Sequence, residues 1–305
     1  MGYSESKKQG FGAFIREIAV LLLIVFLIRT FGFGLYQVPT GSMETTMLVG
    51  ERFFADKFTP LFLKIKRGDI IAFNDPTFPY SSNKFKRLFE EYVWGPSNWT
   101  KRVIGAPGDA VKGVIEDGKP VVYLNGKKLH EPYINKYPLI KVCKVPFLEF
   151  KRRRAGFGMS NRDIGNLIVL KSYDKNATYD EQPFYNIKET HICFQEGGKL
   201  DLIYPGTARG GFMKNNVGKN YWGGNSDEFY VKLGKNQYWV MGDNRLGSSD
   251  SRFFGPLDGR LIHGKIIFRI WSIDSDASFW PLDLVKHPID FWKRIRWNRC
   301  LQTVK

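Results

Sequence analysis

The longest apolar stretch of the chain lies near its N-terminus and predicts a helix that spans a membrane. It runs without a polar residue from Ile18 to Ile28 and stays mostly apolar to Tyr36, with Arg29 as the only charge. These positions, 18–36, approach the roughly 20 residues that a helix needs to cross a bilayer. Arg29 lies toward the far end, where a long basic side chain can reach the membrane interface.

The residues around this stretch indicate its orientation in the membrane and whether it is cleaved. Lys7, Lys8 and Arg16 precede it, so the positive-inside rule places the N-terminus in the cytoplasm and the rest of the chain outside. A cleaved signal peptide would have a similar charged start and apolar run. However, no Ala-x-Ala-like cleavage site follows in residues 37–42, which favours an uncleaved anchor over a signal peptide. A buried helix of a soluble core is the third alternative.

Beyond the apolar stretch, short apolar runs alternate with turn signals, a pattern typical of antiparallel β structure. Two such runs flank Asn125-Gly126, the strongest short-range signal of a β-hairpin. Further strands are predicted at 70–73, from Lys101 onward, at 238–241 and at 265–271. Residues 84–94 are compatible with either a short helix or an amphipathic loop.

These patterns predict a mainly β protein. An antiparallel β-sheet body contains an inserted second β-rich domain and is preceded by one N-terminal transmembrane helix. The predicted segments are a cytoplasmic N-terminal segment at 1–17, the anchor at 18–36, the two parts of the β body at 37–133 and 227–277, the insertion at 134–226, and a basic aromatic tail at 278–305.

Composition narrows the class of protein. The 305 residues include 46 Lys and Arg against 30 Asp and Glu, a net charge of +16, and 15% are aromatic. A basic, aromatic surface suits nucleic acid or an anionic membrane. Because the tail interleaves aromatic and basic residues after a predicted anchor, we expect it to contact membrane phospholipids rather than nucleic acid. The basic run 151–154 is interpreted as a solvated face.

The three cysteines exclude a disulfide-rich scaffold. Cys143 and Cys193 both lie in the predicted insertion and could form a disulfide if that domain is extracytoplasmic. Cys300, the third cysteine, would then have no cysteine partner in this chain. The sequence has no HExxH motif and no P-loop, so zinc-protease and nucleotide-hydrolase chemistry lack their usual residues. We expect no cofactor and no metal.

The turn after the apolar stretch contains a candidate nucleophile, Ser42. It follows Pro39-Thr40-Gly41, and glycine there lets backbone N–H groups face a substrate carbonyl. Most sequences of this kind are only turns, so the signal is weak by itself. The four histidines are scattered, and none belongs to a recognisable Ser-His-Asp arrangement.

With no convincing histidine, a lysine is the natural base for a serine hydroxyl. Lys101 and Arg102 are neighbours on a predicted strand, so their side chains point to opposite faces, and one can be buried while the other is solvated. At its usual pKa of ~10.4 only roughly 0.04% of a lysine is neutral at pH 7. Burial can lower that pKa by several units, although most single strand lysines are simply solvated.

Several segments, in this order along the chain, resemble the conserved boxes of bacterial type I signal peptidase, the membrane-bound leader peptidase family. The nucleophile box is similar to 38–48, the RGD-strand box to 67–73, the lysine box to 101–109 and the GDNR…DSR box to 242–255, while 123–127 and 264–271 match further family strands. The order of the boxes after a predicted anchor makes coincidence a poor explanation.

The resemblance implies a Ser/Lys endopeptidase that removes signal peptides from exported preproteins after small residues, typically Ala-x-Ala. Its expected place is the bacterial cytoplasmic membrane, with the catalytic domain on the extracytoplasmic side and in transient proximity to the secretion translocon. By position, Ser42 is the nucleophile and Lys101 the general base. The oxyanion donors are the N–H of Ser42 and the hydroxyl of Thr40.

The same resemblance assigns supporting residues. Ser248 would orient the amine of Lys101, and Asp250 and Arg252 would form an ion pair that supports their loop. The expected lining of the pocket for the small P1 side chain is Val38, Met43, Met47, Trp99 and Val240. The chain departs from the family pattern at Thr45 in place of proline, at Met47 in place of leucine and at Leu246 in place of aspartate.

Four other hypotheses remain open at this point. A self-cleaving repressor would share the β fold and the Ser/Lys pair but carry an N-terminal helix-turn-helix where this chain has its apolar stretch. A membrane-tethered protein that binds lipid or nucleic acid would explain the charge but not the coexistence of the boxes. An inactive signal peptidase homologue and a mitochondrial inner-membrane peptidase are the other two.

Overall fold

Strands contain more residues than α-helices in the computed structural model, which describes residues 11–92, 95–155, 167–206, 227–275, 277 and 280–304. The strands are β1 (Phe33–Gln37), β2 (Arg52–Asp56), β3 (Ile70–Asn74), β4 (Asn98–Gly105), β5 (Ala110–Glu116), β6 (Lys119–Leu124), β7 (Lys127–Lys128), β8 (Leu139–Cys143), β9 (Ile168–Ser172), β10 (Leu202–Ile203), β11 (Phe229–Lys232), β12 (Gln237–Met241), β13 (Leu257–Asp258), β14 (Ile262–Trp271) and β15 (Gln302–Thr303). Their pairings are antiparallel, which confirms the predicted mainly antiparallel β fold.

The helices are short except at the N-terminus. Within the described residues they are α1 (Phe11–Leu27), α2 (Thr59–Phe62), α3 (Lys84–Tyr92), α4 (Phe147–Ala155), α5 (Ser251–Phe254), α6 (Trp280–Lys286) and α7 (Pro288–Lys293). Of the two structures considered for 84–94, the chain therefore adopts the helix over most of the segment.

The largest sheet holds eight strands in the order β1-β2-β14-β3-β4-β12-β13, with β15 beside β14. Its central strand β3 is buried along its whole length, as expected for a strand covered on both faces. Ile70 and Ala72 pack on one face with Met43, while Ile71 and Phe73 pack on the other. This sheet joins residues from both predicted parts of the β body.

A second sheet, in the order β11-β5-β6-β7, contains the hairpin predicted from Asn125-Gly126. Both turn residues have positive φ, 51° for Asn125 and 81° for Gly126. A two-residue turn of type I′ requires this backbone conformation, which asparagine and glycine adopt most easily. The hairpin prediction is confirmed.

The predicted insertion contributes a third, smaller sheet, in the order β10-β8-β9. Ile140, Tyr185 and Ile192 form its apolar cluster together with Leu48 of the β body. The segment therefore packs directly against the loop that follows Ser42. Its glycine-dense part, 207–225, lies outside the described residues, as do residues 156–166.

The N-terminal apolar stretch folds differently from the single helix predicted over 18–36. Helix α1 ends at Leu27, a π-helical turn covers Ile28–Gly32, and Phe33–Gln37 form β1. The last segment is a strand because its backbone pairs with Arg52–Asp56 along the sheet edge. Among the helices in the described part of the chain, none combines the length and the apolar character that crossing a membrane requires. Lys7 and Lys8 lie outside the described residues.

The C-terminal tail docks onto the β body, at least over residues 280–304. Phe291 is fully buried against Ile273, and Arg299 pairs with Glu51 at 2.6 Å. Part of the basic character of the tail is therefore used in internal ion pairs. By contrast, Trp297 exposes 64% of its surface.

Candidate active site

Ser42 lies in a short 3₁₀ turn, Gly41–Met43, between β1 and β2. Asn244 holds this turn from a distant part of the chain, because its side-chain amide donates to the carbonyl of Gly41 at 2.9 Å and its backbone N–H to that of Ser42 at 3.1 Å. Gly242 approaches so closely that a Cβ there would lie 2.4 Å from the Ser42 carbonyl oxygen. The nucleophile box and the GDNR box therefore form one site.

Lys101 lies on β4, and its side chain reaches Ser42. Its Nζ lies 2.9 Å from the Ser42 Oγ and 3.0 Å from the carbonyl of Thr100. Only 5% of Lys101 and 7% of Ser42 is exposed. Burial lowers the pKa of the lysine to about 8, although Asp250 acts in the opposite direction. At mildly alkaline pH a large fraction of the Lys101 amine is therefore neutral.

Arg102 is also buried, so neither of the two neighbouring basic side chains is solvated. Its guanidinium makes two hydrogen bonds to the Asp243 carboxylate, at 2.8 and 2.7 Å, and lies 4.1 Å from the centre of the Tyr133 ring. A planar guanidinium tolerates burial when a carboxylate and a ring pair with it. Because side chains alternate along β4, the buried side chains of Lys101 and Arg102 point to opposite faces of the strand and have different partners.

Asp250 and Arg252 form a buried ion pair next to the lysine. The Arg252 guanidinium donates to both carboxylate oxygens, at 2.9 and 2.8 Å, and also to Asp227 at 2.7 Å. Burial alone would raise the pKa of Asp250, but Arg252 together with hydrogen bonds from Gly242 and Ser248 lowers the pKa to about 2. Ser248 is buried against Gly242 and is hydrogen-bonded to the Asp250 carboxylate.

A cleft of about 1180 Å³ opens beside Ser42 and Lys101. Of the five residues expected to line a pocket for a small side chain, four do border this cleft, namely Val38, Met43, Met47 and Trp99. Thr40 borders it as well and is exposed.

Val240 does not line the cleft, and this part of the prediction is wrong. Its side chain is fully buried in the core with Ile71, Val103 and Tyr238. Tyr238 and Val240 are two positions apart on β12 and share a face, whereas Trp239 packs in a different cluster. The register of the strand therefore directs Val240 into the core.

Sequence reasoning missed two contributions to the site. The resemblance included Asn244 in a box without the role that its two hydrogen bonds define. Glu44, two residues after Ser42, is completely buried and likewise lay inside a box, 38–48, without an assigned role. A charged residue next to a candidate nucleophile, in a stretch of otherwise apolar and small residues, was the available signal. Among the described residues, no group of three or more His, Cys, Asp and Glu side chains could hold a metal ion.

The chain is similar to known proteins over most of its length. The family described as "Signal peptidase, peptidase S26" matches residues 12–271. The chain is similar to Signal peptidase I P of Bacillus subtilis subsp. natto, with 34% identity over 92% of this chain and 95% of the relative. It is similar to Signal peptidase I of Buchnera aphidicola subsp. Acyrthosiphon pisum, with 27% identity over 86% of this chain and 75% of the relative.

A solved structure of a signal peptidase I from Enterococcus faecalis V583 also matches. It shares 20% sequence identity with a TM-score of 0.26, and the match covers 66% of this chain and 96% of the other.

Proposed function

Because the chain belongs to the signal peptidase family, peptidase S26, and is a serine endopeptidase, we propose that it cleaves N-terminal signal peptides from exported preproteins after small residues, using Ser42 and Lys101. One observation carries the proposal more than any other. The amine of Lys101 lies 2.9 Å from the Ser42 hydroxyl, and both side chains are buried. This is the arrangement that a serine needs if a lysine is to remove its proton.

In the first half of the reaction, the Ser42 Oγ attacks the carbonyl carbon of the scissile bond while the neutral Lys101 amine takes the hydroxyl proton. The carbonyl oxygen becomes an oxyanion, to which the N–H of Ser42 and the hydroxyl of Thr40 donate. The resulting ammonium then gives its proton to the departing amine of the mature protein. The signal peptide stays attached to Ser42 as an ester.

The second half releases the signal peptide. The Lys101 amine, neutral again, takes a proton from a water molecule, which attacks the ester carbon. The Ser42 oxygen leaves with the proton that the lysine carries. Ser248 and the Asp250–Arg252 pair support the lysine by holding the groups around it in place and by excluding water from them.

The cleft also supports a choice of small side chains next to the scissile bond. Met43 and Met47 are 1% exposed and belong to the core, so the floor that they form cannot move aside without disturbing the sheet. A floor of this kind admits alanine and rejects large side chains.

We further propose that the N-terminal apolar segment anchors the chain in the bacterial cytoplasmic membrane, with residues 37–305 on the extracytoplasmic side. The support comes from the apolar residues 18–28 and from the exposure of their side chains along α1. Ser42 follows this segment closely, so it would meet a cleavage site near the outer bilayer surface. Membrane phospholipids and, transiently, the secretion translocon are the expected neighbours.

Cleavage of a purified preprotein with an Ala-x-Ala site by the detergent-solubilised protein tests this function. We expect cleavage after the second alanine, none by Ser42→Ala or Lys101→Ala, and normal cleavage by Lys112→Ala, in which the lost lysine is exposed. A preprotein with phenylalanine in place of the second alanine should resist. Near-full activity of Lys101→Ala, with the variant folded, would show that another group is the base.

A further inference from the structure

Glu44 is a buried carboxyl two residues after Ser42, and its contacts come from the predicted insertion. It is completely buried. One carboxyl oxygen accepts from the backbone N–H of Ser172 at 2.9 Å and from its hydroxyl at 2.5 Å. The other accepts from the hydroxyl of Tyr185. Burying a carboxyl costs free energy that such hydrogen bonds must offset, so each of these partners matters.

The other side of this carboxyl lies against the turn that carries the nucleophile. A Cβ placed on Gly41 would lie 2.7 Å from the Glu44 Oε1, so the carboxyl packs against the Gly41 Cα. The backbone N–H of Glu44 also donates to the Gly41 carbonyl at 3.1 Å. Gly41 immediately precedes the peptide N–H of Ser42. The direction of that N–H therefore depends on where Glu44 holds Gly41.

The two partners of Glu44, Ser172 and Tyr185, belong to the insertion and are each held by a further hydrogen bond. Ser172 ends β9, and its hydroxyl also accepts from the side-chain amide of Asn135 at 2.9 Å. The hydroxyl of Tyr185 accepts from the backbone N–H of Val49 at 3.2 Å. Two separate parts of the insertion thus converge on one side chain of the nucleophile loop.

We infer that Glu44 is a positioning residue through which the insertion fixes the Gly41–Ser42 peptide, and with it the N–H that receives the oxyanion. This inference rests on the proposed Ser42 chemistry and assigns a role to the insertion. Glu44 itself touches no reacting atom. Its effect is therefore on the rate of the chemical step and not on the binding of the preprotein.

A set of variants tests the inference by steady-state cleavage of the Ala-x-Ala preprotein. Glu44→Ala should lower kcat at least tenfold, within the roughly 100-fold that a misplaced catalytic group costs, and should leave KM within about twofold. Glu44→Gln should keep most of the rate, because its oxygen can accept from Ser172 while its amide donates to Tyr185. The acid limb of the pH profile, set by Lys101, should not move in either variant.

Asp283→Ala serves as the matched control. It removes another largely buried carboxyl, which pairs with Arg294 of the tail and with Ser275 just before the tail, and it should lower the melting temperature without lowering kcat per folded enzyme. If Glu44→Ala does not fold, Tyr185→Phe decides, since it removes only one hydroxyl, with its hydrogen bonds to Glu44 and from Val49, and should lower kcat with KM unchanged.

The outcomes separate the inference from the function on which it rests. Unchanged kcat in folded Glu44→Ala, or in Tyr185→Phe if the first variant fails to fold, overturns the positioning role while an inactive Ser42→Ala leaves the proposed function standing. A raised KM with unchanged kcat also overturns it, because Glu44 would then act on binding. Activity in Ser42→Ala overturns the proposed function itself.

Discussion

The pH dependence of cleavage tests the proposed role of Lys101 directly. Burial lowers the pKa of its amine to about 8, with Asp250 and Asp243 raising it and Arg252 lowering it. At that pKa about 9% of the amine is neutral at pH 7, against roughly 0.04% at the ordinary value. Since kcat/KM reports groups of the free enzyme, we expect it to level off above about pH 8 and to fall about tenfold per pH unit well below that.

Two asparagine variants distinguish this electrostatic effect from a general loss of structure. Asp250 and Asp227 both pair with Arg252, but of these two carboxylates only Asp250 acts on the pKa of Lys101. The Asp250 carboxylate stabilises the protonated amine, so Asp250→Asn should lower the pKa and move the acid limb to lower pH. A shift of at least about half a unit, equivalent to about 0.7 kcal/mol, is expected. Asp227→Asn should leave the limb in place.

The assay is the initial rate of preprotein cleavage at low substrate concentration in detergent, measured from about pH 6 to about pH 10 where the enzyme stays folded. Circular dichroism at each pH identifies the range in which each variant keeps its structure. An acid limb near pH 10, or equal shifts in the two variants, would refute the reasoning about Lys101.

Three further predictions concern other parts of the molecule. Gly242→Ala should lower kcat by roughly 100-fold in a folded protein, because its new Cβ would lie 2.4 Å from the Ser42 carbonyl oxygen; full activity would show that the turn can move freely. The buried sulfurs of Cys143 and Cys193 lie 2.7 Å apart as free thiols, so we expect them to pair in an oxidising compartment. Thiol labelling under denaturing conditions should then find two fewer thiols before reduction than after it, and equal numbers would contradict the pairing. Trp297→Ala should weaken any stimulation of cleavage by anionic relative to zwitterionic vesicles, since this ring is largely exposed. Unchanged stimulation would show that the ring does not contact the membrane.

The β-hairpin at 125–126 could be predicted from the sequence because its cause is local. Asparagine and glycine favour the positive φ values of the turn, and the pairing of the flanking strands follows from it. The strands 70–73 and 265–271 were found for the same kind of reason, as apolar runs between turn residues.

The meeting of Ser42 and Lys101 has no local cause. These residues are 59 positions apart, and neither the turn nor the strand indicates the other. From the sequence, only the resemblance to a family indicates that Ser42 and Lys101 act together. Val240 shows the limit of that approach, since a place in a family alignment does not say which face of a strand looks into the cleft.

Burial of charge was the property that sequence patterns predicted least well. Arg102 and Glu44 are both buried, against the strong tendency of charged side chains to remain exposed. Each is buried because partners distant in sequence surround it, Asp243 for the first and Ser172 with Tyr185 for the second. Such partners become visible only when the chain has folded.

Two of the three departures from the family pattern, at Thr45 and Met47, lie where other contacts hold the nucleophile loop. Proline restricts a loop by fixing φ, and this chain has Thr45 at the position where the family has proline. Here the Arg299 guanidinium donates to the carbonyls of Thr45 and Thr46, both at 3.1 Å, and Glu51 holds that guanidinium in turn. Met47, in place of leucine, is 1% exposed in the core below the cleft, where a swap of similar volume is well tolerated. Arg299 of the C-terminal tail therefore supports the nucleophile loop. Deleting the whole tail to test lipid contact would also remove this residue, which is why a single exposed ring is the better probe.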